Sequence, residues 1–253
     1  MDKYDKIESI DDTYFEQYQI IMDNLTSLVK NVKTSKSIMN LVSLNMHINF
    51  LKTGMFDLYK SDNIISMNVL YRSVFDYFLR FQYLFLRLIE EKNDNAVTEY
   101  LNDSNKHDIF GYINALKFIK EKLNPSLLTH YQIPEIKTKT DDKYSYKKMI
   151  EFIVNKTNLN NGKEDNLDFL IKMLLKYSEL SKYVHGGIYD LEYSNQQKRQ
   201  DEMLLILDIS CKNAIACLQQ IVLVLFQEHR EKNILTETYN KLDFLLKENI
   251  NTA

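Results

Sequence analysis

Arg72, Asp76 and His185 are the side chains of this 253-residue chain whose types, brought together, would move a proton and steady a developing negative charge. A histidine can take a proton from a hydroxyl near neutral pH, because its own pKa lies close to that range. A guanidinium stabilises charge growing on a phosphate, and a carboxylate four residues along a helix can orient it. Ser178, Ser181 and His185 fall at steps of three and four within YSELSKYVHGG, so they share one helical face. His185 falls in the last turn of that helix, where the helix dipole favours the protonated imidazole and raises its pKa. Gly186 and Gly187 are a strong helix stop, since glycine readily takes the left-handed conformation needed just past a C-terminus, and they allow close approach of a backbone or a ligand. A plainer account of His185 is a C-capping side chain bonded to a carbonyl or a carboxylate. Both accounts stand at this point.

The element that must position Arg72 and Asp76 is MNVLYRSVFDYFLRFQYLFLRLIE, residues 67–90. Asn68, Arg72, Asp76 and Arg80 recur every four residues, with Arg87 and Glu90 on roughly the same line, and the rest is apolar or aromatic. One narrow polar stripe on an otherwise apolar helix predicts a place at the centre of a bundle. An arginine there needs partners, and Asp76 sits four residues from both Arg72 and Arg80. A buried Arg72–Asp76 pair that holds the bundle together is therefore the structural alternative to a catalytic role.

The rest of the chain reads as helix. Five glycines and two prolines in 253 residues leave little material for tight turns, and the apolar residues recur with helical spacing over long segments. The expected fold is a single all-α domain over residues 1–253, with about six to eight mostly antiparallel helices. Its core covers about residues 11–232, and residues 233–253 form a C-terminal docking helix and tail. A first helix is expected after Asp11-Asp12, acting as its cap, to about residue 32. Its seam is Phe15, Tyr18, Met22, Leu25, Val29 and Val32. A second spans about 35–59, carrying Ile38, Leu41, Asn45, Ile48, Leu51 and Met55, with His47 as a core or boundary residue. The short link 60–63 makes it an antiparallel neighbour of the central helix. Further helices are expected over about 108–123, 144–154, 165–184, 197–232 and 237–248, the last docking through Tyr239, Leu242, Leu245 and Leu246. Residues 125–142 read as a long loop whose Lys137 and Lys139, with the neighbouring Lys143, are either solvated or phosphate-contacting.

Several classes of function find no support. A net charge of -3 gives no global case for nucleic-acid binding, although a local basic cleft is compatible with it. Cys211 and Cys217 are six apart in one helix and face different ways, which disfavours a disulfide or a metal pair and predicts buried thiols in a reducing compartment. The N-terminus is polar, and the most apolar windows are interrupted by charges, so a cytoplasmic protein with no membrane association is expected. There is no Glu-x-x-His pair for a di-iron bundle, no Walker loop, no dinucleotide fingerprint, no HExxH, no Cys-x-x-Cys and no nucleophile elbow. No metal or cofactor is implied.

MNVLYRSVFDYFLRFQYLF resembles the helix of a large uncharacterised bacterial helical family, which reads leucine-leucine-arginine-serine-any-phenylalanine-acid. In that family a Tyr-x-x-x-Ser-x-x-x-His segment follows about a hundred residues later. Arg72, Ser73, Phe75 and Asp76 fill the first block, with aspartate where glutamate is more usual, and Tyr177, Ser181 and His185 fill the second. The pattern covers roughly residues 35–230, and two short blocks carry its specificity. Such proteins are similar to the HEPN superfamily, helical domains common in toxin–antitoxin, anti-phage and CRISPR-linked systems, many of them dimeric metal-independent ribonucleases. The resemblance implies an antiviral-defence or toxin-type protein that acts on or binds RNA, as a homodimer or with a partner protein of the same system. It implies catalytic roles for Arg72, His185 and Asp76, and substrate contacts for Ser181, Tyr177, Ser73 and Lys182. The superfamily's arginine followed four to six residues later by histidine is missing, so Arg72 and His185 would have to meet from different helices. A non-catalytic helical sensor or scaffold that binds a protein partner or a small ligand is the alternative expectation.

Overall fold

Asp2 sets where the first helix starts. Its backbone N–H donates to Asp5 Oδ2 (3.3 Å), and the helix runs from Lys3 instead of beginning after Asp11-Asp12. In the computed structural model, residues 2–103, 144–161, 180–181, 195–229 and 232–248 are described. Their helices are α1 (Lys3–Val29), α2 (Ser35–Lys60), α3 (Ile64–Glu91), α4 (Tyr146–Asn161), α5 (Gln196–Glu228) and α6 (Asn233–Lys247). Residues 95–103 and Leu180–Ser181 are also helical, and no strand occurs among the described residues. The all-α bundle expected from the sequence is the fold observed. The expected helix over 108–123 and the loop over 125–142 lie outside the described residues.

The phase of α1 differs from the expectation. Ile7, Ile10, Tyr14, Gln17, Tyr18, Ile21 and Leu28 are buried, while Phe15 is 47% exposed. Five residues of the expected seam (Tyr18, Met22, Leu25, Val29 and Val32) still pack on the core, but the seam is spent within the chain. Asp11 caps nothing. It is the counter-ion of the buried Lys52 on α2.

α2 and α3 form the antiparallel pair that the short link demanded. Asn63 caps α3 by accepting from the Ser66 N–H (3.1 Å), and Asp62 takes a left-handed φ of 54° to turn the chain. At Gly54 the two helices are so close that a Cβ would stand 3.3 Å from Leu70 Cδ1. At the other end, Asp94 accepts from both the backbone N–H (2.8 Å) and the hydroxyl (2.6 Å) of Ser37. That ties the first turn of α2 to the chain leaving α3.

α5 packs on α1, α2, α3 and α6, and α3 packs on α2, α4 and α5, so these two are the central helices. An 18-residue window of α5 is apolar enough to cross a membrane (mean hydropathy 1.6), and 61% of that window is buried within the bundle. A core helix surrounded by neighbours has this character. α5 ends at Glu228, earlier than expected, because His229 leaves the helix. Its Nε2 donates to the Leu28 carbonyl (2.7 Å) at the end of α1. α6 consequently starts at Asn233, and Leu235, Thr238, Leu242 and Leu245 make its buried face. α4 continues to Asn161 through a polar, asparagine-rich stretch that reads as a linker.

Candidate functional site

The polar stripe on α3 divides by depth. Asn68 is wholly buried, and among the described residues its side-chain amide has no hydrogen-bond partner. Arg87, also buried, is the arginine that needed partners. It meets Glu91 (Nε–Oε1 2.5 Å) and Glu99 (Nη1–Oε2 3.0 Å), and its guanidinium lies 5.8 Å from the ring centre of Tyr83. Burial opposes the Arg87 charge. The hydrogen bonds to the two glutamates, with Tyr83, outweigh it and hold the pKa above the ordinary arginine value. This cluster anchors residues 95–103 against α3 and is structural in character.

Between them, Arg72, Ser73, Asp76, Tyr77 and Arg80 are all half-buried, so this face of α3 reaches solvent. Arg72 Nη1 lies 3.6 Å from Asp76 Oδ2, with side chains 22% and 28% exposed. Arg72 Nε also donates toward Ser181 Oγ at 3.5 Å, across 109 residues of sequence. The two short sequence blocks therefore touch. Ser73 turns its hydroxyl to the Val69 carbonyl (3.3 Å), one turn back on its own helix. Arg80 donates from Nη1 to the Tyr100 hydroxyl (3.1 Å). Burial alone would lower the Arg80 pKa, but Tyr100, Asp76 and Tyr77 more than offset it, so the group stays charged. Tyr177, Ser178, Lys182 and His185 lie outside the described residues, as do the loop lysines Lys137, Lys139 and Lys143.

One residue of this face carried little signal in the sequence. His47 on α2 donates from Nδ1 to the Ser43 carbonyl (2.7 Å), and its ring stacks on Tyr77 of α3 with centres 4.8 Å apart and planes 23° from parallel. The bond to a carbonyl, which can only accept, places a proton on Nδ1. Only its partner on α3, remote in sequence, marks it out.

Elsewhere, Cys211 and Cys217 are free and buried. Among the described residues no three His, Cys, Asp or Glu side chains gather as a metal site. A groove of about 530 Å³ runs between α1 and α6, lined by Lys6, Ile10, Thr13, Lys241, Phe244 and Glu248 among others.

Fold and geometry together define a class: an all-α bundle whose central helix α3 presents a half-exposed face of two arginines, an aspartate and a tyrosine that stacks on a histidine of α2. No family model, no curated protein and no solved structure matches the chain.

Proposed function

We propose that this chain is a HEPN-like cytoplasmic protein of a defence or toxin type, which binds RNA and cleaves it without a metal ion. The observation that supports this reading is the 3.5 Å approach of Arg72 Nε to Ser181 Oγ, because it joins the two sequence blocks on which the resemblance rests. A guanidinium and a hydroxyl side by side at a half-exposed surface offer several donors to one phosphate group. Asp76, 3.6 Å from Arg72, orients the guanidinium. In this reading His185 takes the proton of a ribose 2′-hydroxyl as that oxygen bonds to phosphorus, the bond from phosphorus to the 5′-oxygen breaks, the departing 5′-oxygen takes a proton from water, and Arg72 steadies the charge that develops on the phosphorus-bound oxygens. Tyr177, Ser73 and Lys182 complete the substrate contacts, and the active form is a homodimer or a complex with a partner protein of the same system.

The second reading, a non-catalytic module that binds a protein partner or a small ligand, draws on the groove between α1 and α6, where Phe244 is exposed.

The test is cleavage of a labelled, mixed-sequence RNA by the purified chain in the presence of EDTA. Cleavage is expected. His185→Ala should slow it on the order of 10²–10⁴-fold, and Arg72→Ala on the order of 10²–10³-fold. Arg72→Lys should restore only part of the loss, since a lysine cannot reproduce the planar fork. RNA that is bound but left intact overturns the catalytic half. An absence of both binding and cleavage overturns the whole reading in favour of the second.

A further inference from the structure

Along α2, Lys36, Met39, Ser43, Met46, Phe50, Thr53 and Asp57 recur at steps of three and four, so they form one line on the helix. Ser43 is half-buried and the others are exposed, Phe50 to 69%. The other side is covered: α3 and α5 pack on α2, and Ile38, Leu41, Ile48 and Met55 are buried. The outward side of a helix in a bundle ordinarily carries charges. Here the only Lys, Arg, Asp or Glu between Lys36 and Asp57 is Lys52, and it turns inward to Asp11. The line from Met39 to Thr53 is therefore uncharged over about 21 Å.

The two charges that close the line are placed against the dipole of their own helix. Lys36 stands in the first turn, where the positive end disfavours a cation, and Asp57 in the last, where the negative end disfavours an anion. Lys60, beyond Asp57, is taken up by Glu8 of α1 (3.4 Å).

We propose that this line is the interface of a two-fold homodimer, in which α2 of one chain lies antiparallel against α2 of a second copy. Of the two assemblies named for the active form, this face selects the homodimer, and it does so independently of RNA. An antiparallel copy brings Lys36 to the C-terminal end of the facing helix, within about one turn of the partner's Asp57. The two-fold axis repeats the contact at the other end of the line. Each charge then meets its opposite and the favourable end of a dipole. A parallel copy would set lysine on lysine and aspartate on aspartate. The apolar side chains suit the same pairing. With the axis between Ser43 and Met46, Phe50 meets the partner's Met39, and Met46 meets the partner's Ser43, a long side chain against a short one. The line is complementary to itself, as a second copy requires and an unrelated partner does not.

The experiment is sedimentation of the full chain, without RNA, across a range of concentrations. The parent should form a dimer, twice the chain mass of 30.1 kDa, at micromolar concentration. Met46→Glu sets two carboxylates close to the axis and should leave a monomer. Phe50→Ala should raise the dimer dissociation constant at least about tenfold, as loss of a central aromatic anchor does. Because these side chains are exposed, the variants keep their fold, which a thermal melt followed by circular dichroism verifies. Lys36→Asp should weaken the dimer about two- to thirtyfold, since both symmetric pairs turn repulsive. Combining Lys36→Asp with Asp57→Lys should regain the parent's affinity, because the exchange restores opposite charges. A monomeric parent overturns the proposal and leaves the line to another occupant. A dimer that survives Met46→Glu unchanged places the interface elsewhere and overturns it too. A double exchange no tighter than Lys36→Asp alone overturns the antiparallel pairing.

Discussion

Lys52 has 1% of its side chain exposed, yet its ammonium is neutralised inside the bundle by the carboxylate of Asp11, and it lies 4.4 Å from the ring centre of Tyr14. The Cys211 thiol donates to the same carboxylate at 3.8 Å, so α1, α2 and α5 meet at Asp11. An aspartate that local logic reads as a helix cap is the interior counter-ion of a lysine on the next helix. The pair is buried unevenly, with 19% of the Asp11 side chain still reaching solvent.

Removing one partner leaves the other uncompensated. Lys52→Ala should destabilise the chain by about 3–5 kcal/mol, counting the lost pair and the space left beside Tyr14. Lys52→Met combined with Asp11→Leu should recover most of this, because an apolar pair of similar volume needs no neutralisation. Urea unfolding of the two variants measures both effects. A loss below about 1 kcal/mol for Lys52→Ala would mean that the pair behaves as a surface ion pair in solution.

Burial raises the pKa of Cys211 above its ordinary value, with Lys52 pulling weakly the other way, and burial alone raises that of Cys217. The thiolate is the reactive form, so the native chain should give almost no reaction with a thiol reagent such as DTNB at pH 8. Both thiols should react once the chain is unfolded in urea. The sign of the pH effect follows from the same shifts. Folded values above unfolded ones mean stability fully present below the usual thiol pKa and lost as pH rises through it toward the folded values. Replacing both cysteines by alanine should flatten that alkaline fall, as seen in urea unfolding at a series of pH values.

Asp62, in the turn between α2 and α3, accepts from Arg199 Nε at 2.8 Å and pairs with its Nη2 as well. The Arg199 hydrogen bond holds the Asp62 carboxyl below the usual carboxylate value, against a smaller opposing effect of desolvation. A lowered folded pKa gives stability that is present above the ordinary aspartate value and lost as pH falls through the folded one. Asp62→Asn, which keeps the left-handed turn tolerable, should therefore be less stable than the parent near neutrality. The two melting curves should converge as the solution is acidified below about pH 4, the unfolded aspartate value. A difference that persists unchanged into acid would assign the effect to the backbone turn and not to the charge.

Helix α2 was open to reading from its own residues. Ile38, Leu41, Asn45, Ile48 and Met55 recur with helical spacing, and all are buried as that spacing requires. The centrality of α3 and α5 followed from apolar character around nearly the whole helix. The phase of α1 did not follow, because Phe15 is aromatic enough to draw the seam toward itself while Tyr14, beside it, is the residue that faces inward. Within the candidate site, the Arg72–Asp76 pair was legible from a four-residue interval. His47 was not, since its partner Tyr77 lies on another helix and no local pattern announces a stacked ring.

Composition and periodicity by themselves determined an all-helical bundle, the antiparallel α2–α3 pair and the identity of the two central helices. These properties depend on backbone hydrogen bonding and apolar faces, which repeat every turn and are written locally. Only the tertiary structure decided that Arg72 meets Ser181, that Lys52 meets Asp11 and that His229 closes α5 onto α1. Each of these contacts joins residues far apart in the chain. Its geometry depends on how whole helices cross, and no interval within one helix encodes that crossing.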